Sequence, residues 1–203
     1  MPIPVFFIIF VIFVLWLQYE IRKSKRLSRK NHDTFWNKEN ESNLVRRGDI
    51  SSLDYITIPL NNLPMSDRED ATINSYRDTI LKLSNQKILN LTGLTNVDLK
   101  LKYGVANLNT LSEYDNNYTT LVSMLHKWGE RLYTHGFVSD AASVLEFAVA
   151  CFTDASNTYK LLTKIYKEQK ASDKFSVLIE LIPNTKVLHK DKLINELNAI
   201  WNA

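Results

Sequence analysis

The sequence predicts an all-α protein, on three observations. With only 5 glycines and 5 prolines in 203 residues, it lacks the turn clusters that a many-stranded sandwich or barrel needs every 8–12 residues. From Ser66 onward, apolar residues recur at spacings of three and four, the period of a helix face. Over roughly the last ninety residues, helix-start residues alternate with short connections, which makes successive helices antiparallel neighbours.

The first element predicted is a transmembrane helix over 1–21. From Ile3 to Leu17 only Pro4 is not strongly apolar, and no charge occurs before Glu20. As a helix, Ile3 to Ile21 spans about 28 Å, against about 30 Å for a hydrocarbon core. Pro2 and Pro4 fall in the first turn, where backbone N–H groups lack helical partners. Trp16 and Tyr19 stand where interfacial aromatics are expected. The segment has no basic stretch before it and no small-residue cleavage site after it, so it is expected to be an uncleaved single-span anchor.

A basic juxtamembrane segment over 22–30 follows. It holds Arg22, Lys23, Lys25, Arg26, Arg29 and Lys30, and without them the chain from residue 31 on is near −2. The overall charge of +3 is therefore local and leaves no nucleic-acid footprint. Positive charge on this side alone predicts the N-terminus outside and the C-terminal domain cytoplasmic at the cell membrane, with the cluster placed to touch anionic lipid.

Residues 31–64 are predicted as an extended or irregular linker with a short helix, capped by Asp33 and stopped by Gly48. Phe35 and Trp36 in it are expected to pack on the domain rather than in the membrane surface. Ile56, Ile58 and Leu60 alternate, but Pro59 limits them to an extended or edge segment.

The helical domain is placed at 65–203. Ser66 and Glu69 form the pattern of a capping box, opening a helix with Ile73, Tyr76, Ile80 and Leu83 on one face and running to about Asn90. A short helix over 97–103 is closed by Gly104, and another turn is expected around Leu108–Tyr114. Helices then follow at about 117–134, 139–152, 156–169, 172–182 and 188–201.

Sliding this region against itself gives a constant offset of about 34 residues, a spacing typical of helix–turn–helix repeats. At that offset Leu125 pairs with Tyr159, Trp128 with Leu162, Leu132 with Tyr166, Ala141 with Phe175, Leu145 with Ile179 and Ala148 with Ile182. A helix–turn–helix unit of this period, carrying Trp128-Gly129, Leu132, Gly136, Ala141, Leu145 and Ala148, resembles the tetratricopeptide repeat. The units lie at about 122–155 and 156–187, with a cap over 188–201. The second unit departs from the pattern: Thr163, Lys170 and Phe175 stand where the family has small residues, and Pro183 comes four residues early.

The resemblance implies a concave groove lined by the first helix of each unit. Its positions carry over to Ser123, His126, Glu130 and Tyr133 in the first unit, and to Asn157, Lys160, Lys164 and Lys167 in the second. The three lysines share one helix face and suit a carboxylate or an acidic protein segment; the alternative is a solvated face.

No catalytic, cofactor-binding or metal-binding pattern is found. The single Cys151 excludes a disulfide framework, no His pair has ligand spacing, and no phosphate-cradling glycine loop occurs. No small-molecule substrate is evident. Nineteen asparagines, with abundant Lys and Ile, suggest an AT-rich bacterial genome. The expected function is a non-enzymatic, membrane-anchored helical-repeat adaptor for a protein or peptide partner. The alternative is a structural subunit buried permanently in a larger membrane complex.

Overall fold

The computed structural model describes residues 3–203. All regular structure among them is helical: α1 (Ile3–Asn43), α2 (Ala71–Leu83), α3 (Asn96–Tyr103), α4 (Leu108–Thr134), α5 (Val138–Ala150), α6 (Ser156–Glu168), α7 (Ser172–Leu181) and α8 (Lys190–Asn202). Single 3₁₀ turns occur at Leu60–Asn62, Val105–Asn107 and Ile182–Asn184. The chain forms two compact units, one from Met1–Asp49 with Thr95–Leu108, the other from Ile50–Leu94 with Asn109–Ala203.

In the first unit α1 runs unbroken for 41 residues. The basic segment and the short helix expected after Asp33 are therefore parts of one helix, with Asp33 inside it rather than capping a new one. A polar stretch with no apolar stripe gives no periodic signal, so this continuation is not visible in the sequence. Its end is held by α3, where Lys100 pairs with Glu39 and donates to Asn43 Oδ1 at 3.2 Å. Thr95 and Asp98 cap α3 reciprocally, with Asp98 N–H to Thr95 Oγ1 at 3.2 Å and Thr95 N–H to Asp98 Oδ2 at 2.9 Å. The buried Asn107 amide closes the unit by donating to the Gly48 and Tyr103 carbonyls at 2.8 and 2.7 Å.

Phe35 and Trp36 do not pack on a core. They are 52% and 49% exposed and meet each other edge to face.

Among the described residues, no helix is long and apolar enough to cross a membrane, so the transmembrane helix expected over 1–21 has no support there. The described side chains of α1 begin at Phe6, and the run Phe6–Leu17 has twelve apolar residues, about 18 Å of helix. Met1 and Pro2, which the sequence places in the spanning segment, lie outside the described residues. Most of this run is exposed, Phe6 at 74% and Trp16 at 57%.

The second unit carries the continuous core. Leu125, Trp128, Leu132, Ala141, Leu145, Ala148, Tyr159, Leu162 and Ile182 are all at 0–1% exposure. α6 packs against α5, α7 and α8. The ends of α4, α6 and α8 fall at Thr134, Glu168 and Asn202, and the starts of α5 and α7 at Val138 and Ser172. Each step equals the offset read from the sequence, so the sequence period is also the period of the helices.

The turns repeat bond for bond. After α4, Gly136 N–H donates to Tyr133 O at 3.0 Å and Phe137 N–H to Leu132 O at 3.0 Å. After α6, Lys170 N–H donates to Lys167 O at 3.0 Å and Ala171 N–H to Tyr166 O at 2.9 Å. Both are Schellman closures, with Gly136 at φ 81° and Lys170 at φ 54°. Lys170 therefore fills the left-handed position that the first turn gives to glycine. Gly129 serves a different need: a Cβ there would lie 2.6 Å from the side chain of Leu145, so its absence lets α4 and α5 approach.

Three further element boundaries differ from expectation. α2 starts at Ala71, not at Ser66, because Asp70 caps it, accepting from Thr72 and Ile73 N–H at 2.7 and 3.2 Å. α2 stops at Leu83 rather than Asn90, and the chain beyond is tied irregularly, with Ile56 N–H to Ile88 O at 2.9 Å and Leu89 N–H to Tyr114 O at 3.2 Å. The two helices expected around Leu108–Tyr114 and 117–134 are one helix, α4.

Candidate functional site

A groove of about 760 Å³ opens along α6. His126 and Glu130 reach it from α4; Asn157, Lys160, Lys164 and Lys167 reach it from α6. These are six of the eight residues that the repeat positions single out; Ser123, half-buried on α4, does not line it. Leu161 and Ile200 supply apolar surface within it, and Glu168 and Ala203 also border it.

The spacing of the lysines explains their grouping. Positions i, i+4 and i+7 lie along one face of α6, about 6 and 10 Å apart in rise. Ile165, Leu162 and Tyr166 point the other way into the core and fix the rotation of the helix.

Tyr133 does not line the groove either but supports its edge. Its hydroxyl donates to Glu168, and its ring lies under Lys164, whose Nζ is 5.2 Å from the ring centre. The hydrogen bond to Glu168 is the main cause of the raised Tyr133 pKa.

The other two lysines meet α8. Lys160 Nζ is 2.8 Å from Glu196 Oε2, and Lys167 Nζ donates to the Ile200 carbonyl at 3.1 Å. The Lys160 hydrogen bond holds the Glu196 carboxyl below its ordinary pKa. His126 Nδ1 lies 3.2 Å from Thr158 Oγ1, which fixes its ring across the α4–α6 boundary. The site is thus a mixed one, with ammonium groups at the rim and apolar surface between.

The contribution of α8 was not foreseen, since 188–201 reads as a cap. The signal was available: Leu193 follows Tyr159, and Ile200 follows Tyr166, at the same offset as the earlier pairs. Continued one step further, the period makes α8 a third groove-lining helix.

The six basic residues expected at a membrane surface, Arg22, Lys23, Lys25, Arg26, Arg29 and Lys30, are all exposed on α1. Lys23 lies 3.6 Å from Glu20.

Elsewhere the titratable groups serve structure. Partial desolvation pulls the Asp70 carboxyl upward, but the Arg131 hydrogen bond and the N–H groups of Thr72 and Ile73 outweigh it and hold the pKa at about 2. His135 Nε2 sits 3.0 Å from the same carboxylate. Cys151 is buried, and desolvation pushes its thiol up to about 12. Among the described residues no group of His, Cys, Asp and Glu is arranged to hold a metal ion.

Compared with known proteins, the chain matches no family model, no curated protein and no solved structure.

Proposed function

We propose that the protein is a membrane-anchored adaptor, whose tetratricopeptide-like helical array takes a segment of another protein into the groove along α6. The observation that carries this reading is the groove itself. Side chains from α4, α6 and α8, elements that share one repeat register, border one cleft with lysines at its rim and Leu161 and Ile200 on its surface. That combination suits a peptide segment with apolar and acidic side chains, and calls for no reaction on it. The role is a non-enzymatic one.

Support for the anchor comes from α1. Its exposed run Phe6–Leu17 is apolar, and the sequence before it extends the same character to the first residues. The basic residues after it orient the span with the N-terminus outside and the remainder of the chain cytoplasmic. Tethering raises the effective concentration of the groove near membrane-bound partners.

The test is capture of partners from detergent extracts by full-length protein, comparing wild type with the Lys160→Gln, Lys164→Gln, Lys167→Gln triple variant at low and high salt. Gln keeps helix propensity and much of the stem packing while removing three charges. The adaptor reading predicts salt-sensitive capture that the triple variant loses while its circular dichroism is unchanged. Equal capture by both proteins at every salt concentration would remove it.

A further inference from the structure

We infer that Glu196, from α8, holds Lys160 paired while the groove is empty, and that the acidic side chain of a bound segment replaces it by handing Glu196 over to Lys192. The inference rests on the adaptor reading and specifies how that groove accepts its partner.

Of the three groove lysines, only Lys160 faces a full carboxylate from α8. Lys167 meets a neutral carbonyl, and Lys164 lies over the Tyr133 ring, beside the hydroxyl that donates to Glu168. Lys160 and Glu196 are 36% and 37% exposed, the regime in which an ion pair is screened and easily exchanged. A second cation stands ready on the same helix. Lys192 Nζ is 4.0 Å from Glu196 Oε1, one turn away on α8. A carboxylate arriving at Lys160 therefore need not leave Glu196 unpaired or facing it, since a rotamer change completes the pair with Lys192.

The exchange leaves α8 in place. Leu193 and Leu197 are 2% and 0% exposed, and Trp201 stacks on Phe175 with ring centres 4.4 Å apart. The helix is held by apolar burial, so the polar contact is free to serve recognition. Charge complementarity selects the occupant: a segment with a side-chain carboxylate beside an apolar residue, the latter resting on Leu161 and Ile200.

The test uses a fluorescent synthetic peptide with Glu at i, i+4 and i+7 and Leu between, acetylated and amidated at its ends, and the same peptide with Gln for Glu. Binding to full-length protein in detergent is followed by anisotropy. An exposed ion pair is worth about two- to fivefold in affinity. Glu196→Gln should tighten binding of the Glu peptide by about that factor, Lys192→Gln should weaken it, and the Gln peptide should respond to neither. If Glu196→Gln leaves Glu-peptide affinity unchanged or lowers it, while the triple Lys→Gln variant still abolishes binding, the handover is wrong and the groove reading stands. If neither wild type nor Glu196→Gln binds the Glu peptide, both fall together.

Discussion

The paired turns after α4 and α6 allow a prediction that depends on backbone conformation alone. Gly136 and Lys170 occupy equivalent left-handed positions with matching hydrogen bonds. A side chain in that region costs about 1–2 kcal/mol, whereas glycine occupies it freely but loses about 0.4–1 kcal/mol through the entropy of the unfolded chain. Lys170→Gly should therefore stabilise by about 0.5–1 kcal/mol, and Gly136→Ala should destabilise by the same amount. Packing does not confuse either result. Nothing lies within 4 Å of a Cβ built on Gly136, and Lys170 is exposed. For a chain of this size the shifts are about +1 to +4 °C and −1 to −4 °C in Tm, measurable by circular dichroism on the full-length protein. A lower Tm for Lys170→Gly, or a higher one for Gly136→Ala, would mean that the second turn is not a copy of the first.

Two further outcomes follow from the core and one from the caps. Trp128 is fully buried and its Nε1 has no hydrogen-bond partner, so Trp128→Ala should cost about 3–5 kcal/mol in urea unfolding, and Trp128→Phe less, because it also removes the unpaired donor. Gly129→Ala should cost about 1–3 kcal/mol by driving a methyl into Leu145, and an unchanged urea midpoint would contradict the α4–α5 contact. Asp70 has a folded pKa of about 2, below its value in the unfolded chain, so the stability it contributes is present above about pH 4 and is lost as pH falls through about 2. The Tm advantage of wild type over Asp70→Asn should therefore shrink across that window, and an advantage that grows on acidification would reverse the sign of the assignment.

How much of this was legible depends on where side chains meet a core. The helices from Val138 to Asn202 follow the expected ones within about two residues, because buried apolar positions such as Leu145, Tyr159, Leu162 and Leu193 recur at helical spacing. Ser66-x-x-Glu69 misled because a competing cap lay four residues on. Asn74 holds the backbone of Arg68 by two hydrogen bonds of 2.9 and 2.7 Å, which keeps that turn outside the helix and leaves Asp70 to cap it. The continuity of α1 from the apolar run to the helix after Asp33 was illegible, since a helix polar on every side has no stripe, and its partner α3 lies far away in sequence.

The groove was legible through the repeat register, apart from α8. Glu196 stands one repeat period after Leu162, where a polar residue breaks an otherwise apolar column. Reading 188–201 as a cap hid the residue that meets Lys160.

The central claim is that a protein segment lies in the groove along α6. Site-specific photocrosslinking in the full-length protein tests it most directly, with a photoreactive residue at Lys164 in the groove or at Val177 on α7, which is 63% exposed and outside it. The account predicts a discrete crosslinked product from position 164, competed by the Glu peptide, and none from position 177. The same product from both positions, or one from 177 alone, would contradict it.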